Sequence, residues 1–411
     1  MKKTIILLAL LSSFKSYSQQ AKDPFVLGSQ LISTGNYLGA YDQIINMKHS
    51  LEPEDINGKK DKSPTLLDQA VATFGSFVGE SYTLNWKKSR LRVKHEEQVH
   101  FTPALQYITE YCKNSTVVMI NEDHNTPKHR LLTYNLLKNF YDLGFRYLAV
   151  EALEKDSSYK KLGFPQVKSG FYMGEPIMGD LLRRAIKLGF KLVPFESNDR
   201  TTYDGKSESY LDNIREINQA KNLAQIFQND PGAKIVVHSG HGHIWEKGGD
   251  IIFMAEYFRI LTGINPVTIN QSINSMDEFK EKLDSTINLQ KTDVPYIVLD
   301  QTNKPRISGG DKQGAYDLLV SWPTPQTIFG RNDFVFTKDG TVKYYINLRS
   351  QDQGKLLQVI SLDMRNDIPY DQFIIKNNIK KYGISLEKGQ YYIQIKDNLG
   401  QVVSKKKIKV E

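Results

Sequence analysis

The sequence predicts an α/β fold: a mostly parallel sheet flanked by helices, with an N-terminal helical region before it and a small C-terminal β-sandwich after it. Three observations carry that reading. Short unbroken apolar runs recur at 117–120, 147–150, 192–195, 235–237, 267–269 and 296–299. Strands apolar on both faces belong to a sheet covered on both sides, the arrangement of parallel sheets. Amphipathic segments of helical period separate the runs, and after residue 330 they give way to strand and turn signals.

In chain order, residues 1–18 read as a signal peptide. Lys2-Lys3 is a positive start, Thr4 to Phe14 is an apolar run too short to span a bilayer, and Ser16-Tyr17-Ser18 suits cleavage after Ser18. The chain is therefore expected to be exported, to the periplasm, the outer surface or the medium. No later stretch is long and apolar enough for a transmembrane segment. Residues 19–100 read as mainly helical: Leu66, Leu67, Ala70, Val71, Phe74 and Phe77 share one face at helical spacing. Ser63-Pro64 is the expected N-cap and first-turn proline, and Lys59-Lys60-Asp61-Lys62 a solvated loop.

Residues 101–330 form the expected α/β domain. Thr126-Pro127 opens a helix that Gly144 ends, and a second runs from about Glu175 to Leu188, before Gly189. A third runs from about Tyr210 to Gln228, ahead of Asp230-Pro231-Gly232, and a fourth covers about 250–262, before Gly263. Residues 331–411 read as the β-sandwich, with strands at 343–348, 356–362, 390–395 and 405–410 and turns at Asp339-Gly340 and Asn398-Leu399-Gly400. Residues 322–330 are a loop-rich junction, and a chain ended near residue 330 is expected to fold by itself.

Composition narrows the function. Hydrophobic residues at 40% and charged residues at 24% allow a real core and exclude wholesale disorder. The net charge is +8, but Lys2, Lys3 and Lys15 lie in the first eighteen residues, which hold no acid, so the remainder carries +5. With no basic stripe interleaved with aromatics, no nucleic-acid partner is expected. The one cysteine, Cys112, rules out an intrachain disulfide, a cysteine metal site and a lipid-bearing cysteine at the cleavage point. It follows an aromatic-rich helical run and reads as a core residue.

The chemistry falls at strand ends, where parallel sheets bind ligands. The first four apolar runs end in Asn121-Glu122-Asp123-His124, in Glu151, in Glu196 and in His238-Ser239-Gly240-His241-Gly242-His243. Glu122 and His124 are two apart, as are His241 and His243, so on extended chain each pair points the same way. The set suits a divalent metal, with His124, Glu151 and His241 as ligands, or acid/base work without one. Any one strand-end carboxylate equally suits capping the next helix. His129, one turn into the first helix, reads as a ligand or a capping residue, and His238 as a core histidine bonded to backbone. Arg215 and Asn222, seven apart on one helix face, reach the rim or face solvent. Arg215 and Glu196 are the candidates for contacting a bound cofactor or substrate.

Residues 119–125, Met-Ile-Asn-Glu-Asp-His-Asn, followed by Pro127 and His129, resemble the Gly-Glu-x-His motif of a superfamily. That superfamily includes haem-binding (ChaN-like) lipoproteins of iron uptake, erythromycin esterases and Tiki-type metalloproteases. Ala149-Val150-Glu151 is similar to its second motif, Arg215-Glu216 through Asn222 to its Arg-rich helix, and Gly240-His241-Gly242-His243 to its closing Gly-His-x-His. The resemblance covers about residues 115 to 275. Asn121 stands where the motif has glycine. The esterase branch spaces its Glu and His one residue further apart, so macrolide hydrolysis is not implied. About the last eighty residues, with Leu386-Glu387-Lys388-Gly389-Gln390-Tyr391-Tyr392, resemble a C-terminal secretion-sorting β-domain without its opening Pro-Asn-Pro.

The expected function is that of an exported hydrolase for an ester or peptide bond, with a small-molecule or peptide substrate. His124 acts as general base or as ligand to a metal-bound water, Glu122 and Glu151 orient it or share the metal, and His241 and His243 stabilise developing charge. The alternatives are a haem- or metal-binding protein without turnover and an interaction protein with a decayed site. N-terminal sequencing of the exported protein is expected to read from Gln19; an intact Met1 would refute the cleavage.

Overall fold

The computed structural model describes residues 23–52, 64–82, 84, 99–151, 153–155, 158–196, 208–248, 251–272, 294–307, 314–362 and 368–411. The signal peptide expected at 1–18 and Lys59-Lys60-Asp61-Lys62 lie outside the described residues.

Three helices begin the chain, α1 (Pro24–Ser33), α2 (Tyr37–Leu51) and α3 (Leu66–Phe77). The third starts slightly later than Ser63-Pro64 implied. Thr65 is its N-cap: its Oγ1 accepts the Asp68 N–H at 3.1 Å and Asp68 accepts the Thr65 N–H at 2.9 Å, a reciprocal capping box. Leu67, Ala70, Val71, Phe74 and Phe77 are buried as their spacing demands, but Leu66, expected beside them, is 53% exposed. The Phe74 ring lies within 2.6 Å of where a Cβ on Gly28 would sit, so α1 and α3 approach closely because residue 28 has no side chain.

The α/β domain follows, with an eight-stranded sheet. In chain order the strands are β1 (His100–Pro103), β2 (Val117–Glu122), β3 (Tyr147–Val150), β4 (Lys191–Pro194), β5 (Ile235–Gly240), β6 (Val267–Asn270), β7 (Tyr296–Leu299) and β8 (Leu318–Ser321). Their order across the sheet is β1-β7-β8-β6-β2-β5-β3-β4. The run from β8 to β4 is parallel, while β7 pairs antiparallel with β8 and β1 with β7. The helices are α4 (Ala104–Tyr111), α5 (Lys128–Asp142), α6 (Ser158–Leu162), α7 (Pro176–Leu188), α8 (Glu208–Asn229) and α9 (Met254–Thr262).

The central strand β2 explains the unbroken apolar runs. Val118 and Ile120 face a core with Leu132, Phe140 and Leu181 of α5 and α7, and Val117 and Met119 face a second core with Leu223 and Phe258 of α8 and α9. Cys112 is wholly buried in the first core, and burial pushes its thiol up to about 12, as befits a core residue. Strand β8 had no reading in the sequence, and β7 runs against the parallel strands. All four residues of β7 are buried, and a run buried on both faces carries no information about strand direction.

The rest of the chain is β-rich. A short hairpin, β9 (Thr327–Ile328) and β10 (Arg331–Asn332), precedes β11 (Val342–Asn347), β12 (Leu356–Ile360), β13 (Asp371–Ile374), β14 (Lys381–Leu386), β15 (Gly389–Lys396) and β16 (Val402–Val410). The pair β11-β14 packs on the four-stranded β13-β12-β15-β16 through Ile346, Leu357, Ile384, Ile393 and Ile408. Neither β13 nor β14 was read from the sequence. Among the described residues no helix is long and apolar enough to cross a membrane.

This unit shares contacts with the rest of the chain that a chain ended near residue 330 would lack. Ile368 is fully buried in the α/β core and Leu356 in the core of the first three helices. Gln372 Nε2 donates to the Phe77 carbonyl at 2.5 Å, and Lys338 pairs with Asp180 of α7 at 2.7 Å, both out of solvent. Ending the chain at residue 330 strips these partners from two cores and leaves Asp180 with Arg183 but without Lys338. Such a chain is expected to lose the sharp thermal transition of the full protein in circular-dichroism melts.

Candidate active site

Four strand ends meet at one rim because β2, β5, β3 and β4 are consecutive and parallel, with Glu122 in register with Gly240. Glu122 is the centre. One of its oxygens takes Arg130 Nε at 2.7 Å and His238 Nε2 at 3.0 Å, and the other contacts His124 Nδ1 at 2.7 Å and Arg130 Nη2 at 3.1 Å. Arg130 is fully buried; it also holds Glu175 at 2.9 Å and donates to the His124 carbonyl at 2.7 Å. Glu175 in turn caps α7, accepting the N–H groups of Ile177 and Met178 at 3.0 and 2.8 Å. Burial alone would raise the Glu122 carboxyl; the charges of Arg130 and His238 and the histidine hydrogen bonds outweigh it and hold Glu122 well below the usual carboxylate range.

His124 stacks on Tyr172, with ring centroids 4.2 Å apart and planes 17° off parallel. Burial opposes its charged form, but the Glu122 bond and the charges of Glu151 and Glu122 raise its pKa above the ordinary histidine value. Its Nε2 and Glu151 Oε2 lie 2.8 and 3.0 Å from the position of a Cβ on residue 240, so only glycine lets β5 pass beneath them.

Glu151 is the second anionic centre. It accepts the Gly240 N–H at 2.5 Å and Arg215 Nη2 at 2.7 Å, and His243 Nε2 lies 3.4 Å away. His243 Nδ1 lies 2.7 Å from Glu216, which also accepts the Met254 N–H at 2.7 Å. Burial favours neutral His243, yet Glu151 and Glu216 push its pKa up to about 10, while burial of Glu151 is outweighed chiefly by His243, which holds that carboxyl well below 4.5. Arg215 also bridges to both oxygens of Glu196, at 3.1 and 2.5 Å. An open cleft of about 550 Å³ spreads over His124, Glu151, Glu196, Arg215, His241 and His243, with Phe171 and Tyr172 as an aromatic wall.

The structure therefore brings together Glu122, His124, Glu151, Glu196, Arg215, His241 and His243. His238 is buried as foreseen, but its partners are side chains, Glu122 and Thr133, because the strand places it directly behind the carboxylate. His129 is neither ligand nor surface cap: it is fully buried, burial keeps its pKa well below 6.5, and its Nδ1 accepts the Asp123 N–H at 2.9 Å. Asn222 does not line the cleft; its amide holds the Phe195 carbonyl, just past the end of β4, at 2.9 Å. Among the described residues no group of three or more His, Cys, Asp or Glu is arranged to hold a metal ion. His124, Glu151 and His241, expected to share one, contact Glu122, Arg215 with the Gly240 N–H, and Ser272 respectively.

Arg130, Tyr172 and Ser272 had no role in the sequence reading, where Glu175 only began a helix and Glu216 was only part of the motif that resembles an Arg-rich helix. Arg130 lies eight residues after Glu122 on the helix that follows the motif, and Glu175 directly precedes Pro176 as an N-cap. Those positions are the available signals, and neither reveals a buried ion pair.

No family model matches the chain, and no curated protein does. Solved structures with a distant likeness include the type III effector HopBA1, at 10% identity and a TM-score of 0.34 over 57% of this chain and 99% of that one. RRSP, a MARTX toxin effector domain from Vibrio vulnificus CMCP6, matches at 15% identity and a TM-score of 0.31 over 41% of this chain and 36% of its own. A structure described as bacterial protein toxins matches at 14% identity and a TM-score of 0.31 over 42% of this chain and 38% of its own.

The His243–Glu151 pair sets a pH window. His243 rises from 6.5 to about 10 on folding, so its contribution is fully present below about pH 6.5 and is lost as pH climbs through about 10. Glu151 is lowered from 4.5, so its contribution is present above that value and is lost as pH falls below it. The melting temperature is expected to be highest between these limits, and His243→Gln to flatten its decline between pH 6.5 and 10, as measured by calorimetry.

Proposed function

We propose that this chain is an exported hydrolase acting on an ester or peptide bond, with His124 as the general base. The carrying observation is the Glu122–His124 contact of 2.7 Å at Nδ1. A carboxylate behind Nδ1 keeps the ring proton there and leaves Nε2 to accept a proton from water at the cleft. Glu122 is a poor base itself, since it is buried and both of its oxygens are engaged by Arg130 and the histidines. Its role is to hold the His124 tautomer and to stabilise the imidazolium formed when water is deprotonated. His124 keeps a side-chain exposure of 30%, against 2% for Glu122, so it is the member of the pair that meets substrate.

Across the cleft, Arg215 and the cationic His243 offset charge that develops on the attacked carbonyl oxygen. Glu151 lies between them and His124 and keeps both cations in place. The Gly-Glu-x-His resemblance supports the same assignment of roles. The metal-dependent form of the reading has no preset ligand group to rest on, so no step is drawn through a metal.

The test is hydrolysis of a chromogenic acetate ester and of a mixed peptide library by the mature protein, with and without chelator, beside a haem titration. Turnover is expected to rise with pH through a midpoint above 6.5, because the base must be neutral and its pKa is raised. His124→Ala should lower kcat by ~10²-fold or more with little change in melting temperature. Adding His241→Ala should cost scarcely more, since residues acting as one unit are non-additive. Full activity in His124→Ala refutes the reading, and a Soret band without turnover favours haem binding instead.

A further inference from the structure

Asn121 stands where the motif has glycine, and its side chain is fully buried. Its Oδ1 accepts the Gln271 N–H at 2.8 Å, which fixes the amide orientation. Its Nδ2 is thereby turned to donate to the His241 carbonyl at 2.9 Å and to Ser272 Oγ at 3.0 Å. Ser272, also fully buried, lies 2.5 Å from His241 Nδ1. The hydroxyl has one proton to give. A second acceptor, Asn270 Oδ1, is 3.3 Å away and already takes the Ser272 N–H at 3.0 Å. Asn121 fills one lone pair of Oγ; the hydroxyl proton is assigned to the 2.5 Å contact rather than to the longer one, and each bond in such a chain polarises the next.

We infer that Asn121 and Ser272 form a positioning relay that keeps His241 in the tautomer with its proton on Nε2, making it a hydrogen-bond donor at the cleft. The two rim histidines then have opposite tautomers, set by what lies behind each. A carboxylate behind His124 draws the proton to Nδ1 and leaves Nε2 an acceptor; a hydroxyl behind His241 donates a hydrogen bond to Nδ1 and leaves Nε2–H a donor. A site so divided suits an electrophile that presents an acceptor oxygen to His241 while a proton-bearing nucleophile faces His124. The catalytic use of that donor rests on the hydrolase reading; the relay does not.

The experiment is NMR of isotope-labelled histidine nitrogens in the mature protein, with the His241 signals assigned through His241→Gln. The wild type is expected to show a pyridine-type Nδ1 and a pyrrole-type Nε2 at His241, and Ser272→Ala or Asn121→Gly to shift or mix that pattern while the His124 signals stay unchanged. A pyrrole-type Nδ1 at His241 in the wild type overturns the relay without any variant, and so does an unaltered His241 pattern in folded Ser272→Ala. In the hydrolysis assay Ser272→Ala should lower kcat by ~10-fold or more with KM nearly constant, because the donor acts on developing charge. If the wild-type pattern is found in protein that cleaves neither the ester nor the peptides, the relay stands and the hydrolase reading falls.

Discussion

The site depends on one buried cation. Arg130 has no solvent exposure, and its guanidinium is shared between Glu122 at the end of β2 and Glu175 at the start of α7. A charge removed from water is tolerated when its partners are well placed and every donor is used. Here the planar fork meets two carboxylates and the His124 carbonyl, so the end of β2 and the start of α7 are held by one side chain of α5. Loss of the cation would leave two buried carboxylates facing one another.

From that pair the rest of the rim follows. With Glu122 held as an anion, His124 has a fixed partner for Nδ1, and its ring is pinned from the other side by Tyr172. Glu175, anchored by the same arginine, spends its remaining capacity on the N-terminus of α7, which connects the site to the helix layer. Glu151 repeats the design at the end of β3, on the far side of β5, with Arg215, His243 and a backbone N–H as its donors. His124 and Glu151 nearly meet above Gly240, where β5 has no side chain to keep them apart.

The flanking units buttress this arrangement. The first helices and the C-terminal sheets share cores through Leu356 and Ile368, and Arg183 of α7 donates to the Ile368 carbonyl at 2.8 Å. The helix that Glu175 caps is thus held at both faces. Residues far from the cleft in sequence therefore influence how firmly its acidic anchor is placed.

Local pattern determined a good deal. Apolar runs marked the buried strands, glycines and prolines marked helix ends, and charged residues just past four runs marked the rim, because a parallel sheet sends those positions to one edge. Glu122, His124, Glu151, Glu196, Arg215, His241 and His243 were legible for that reason. Only tertiary structure decided the partners. Whether Arg130 faces solvent or a carboxylate depends on how α5 and α7 pack, and whether Ser272 backs His241 depends on β6 lying beside β2. The direction of β7, the pairing of β8 and the fusion of the C-terminal sheets to two other cores were equally hidden. A residue's type and spacing constrain its own backbone, but hydrogen bonds and ion pairs between distant segments exist only once the chain has folded. That is why the acids and bases of the site were readable, while the arginine and the hydroxyl that set their charge and tautomer were not.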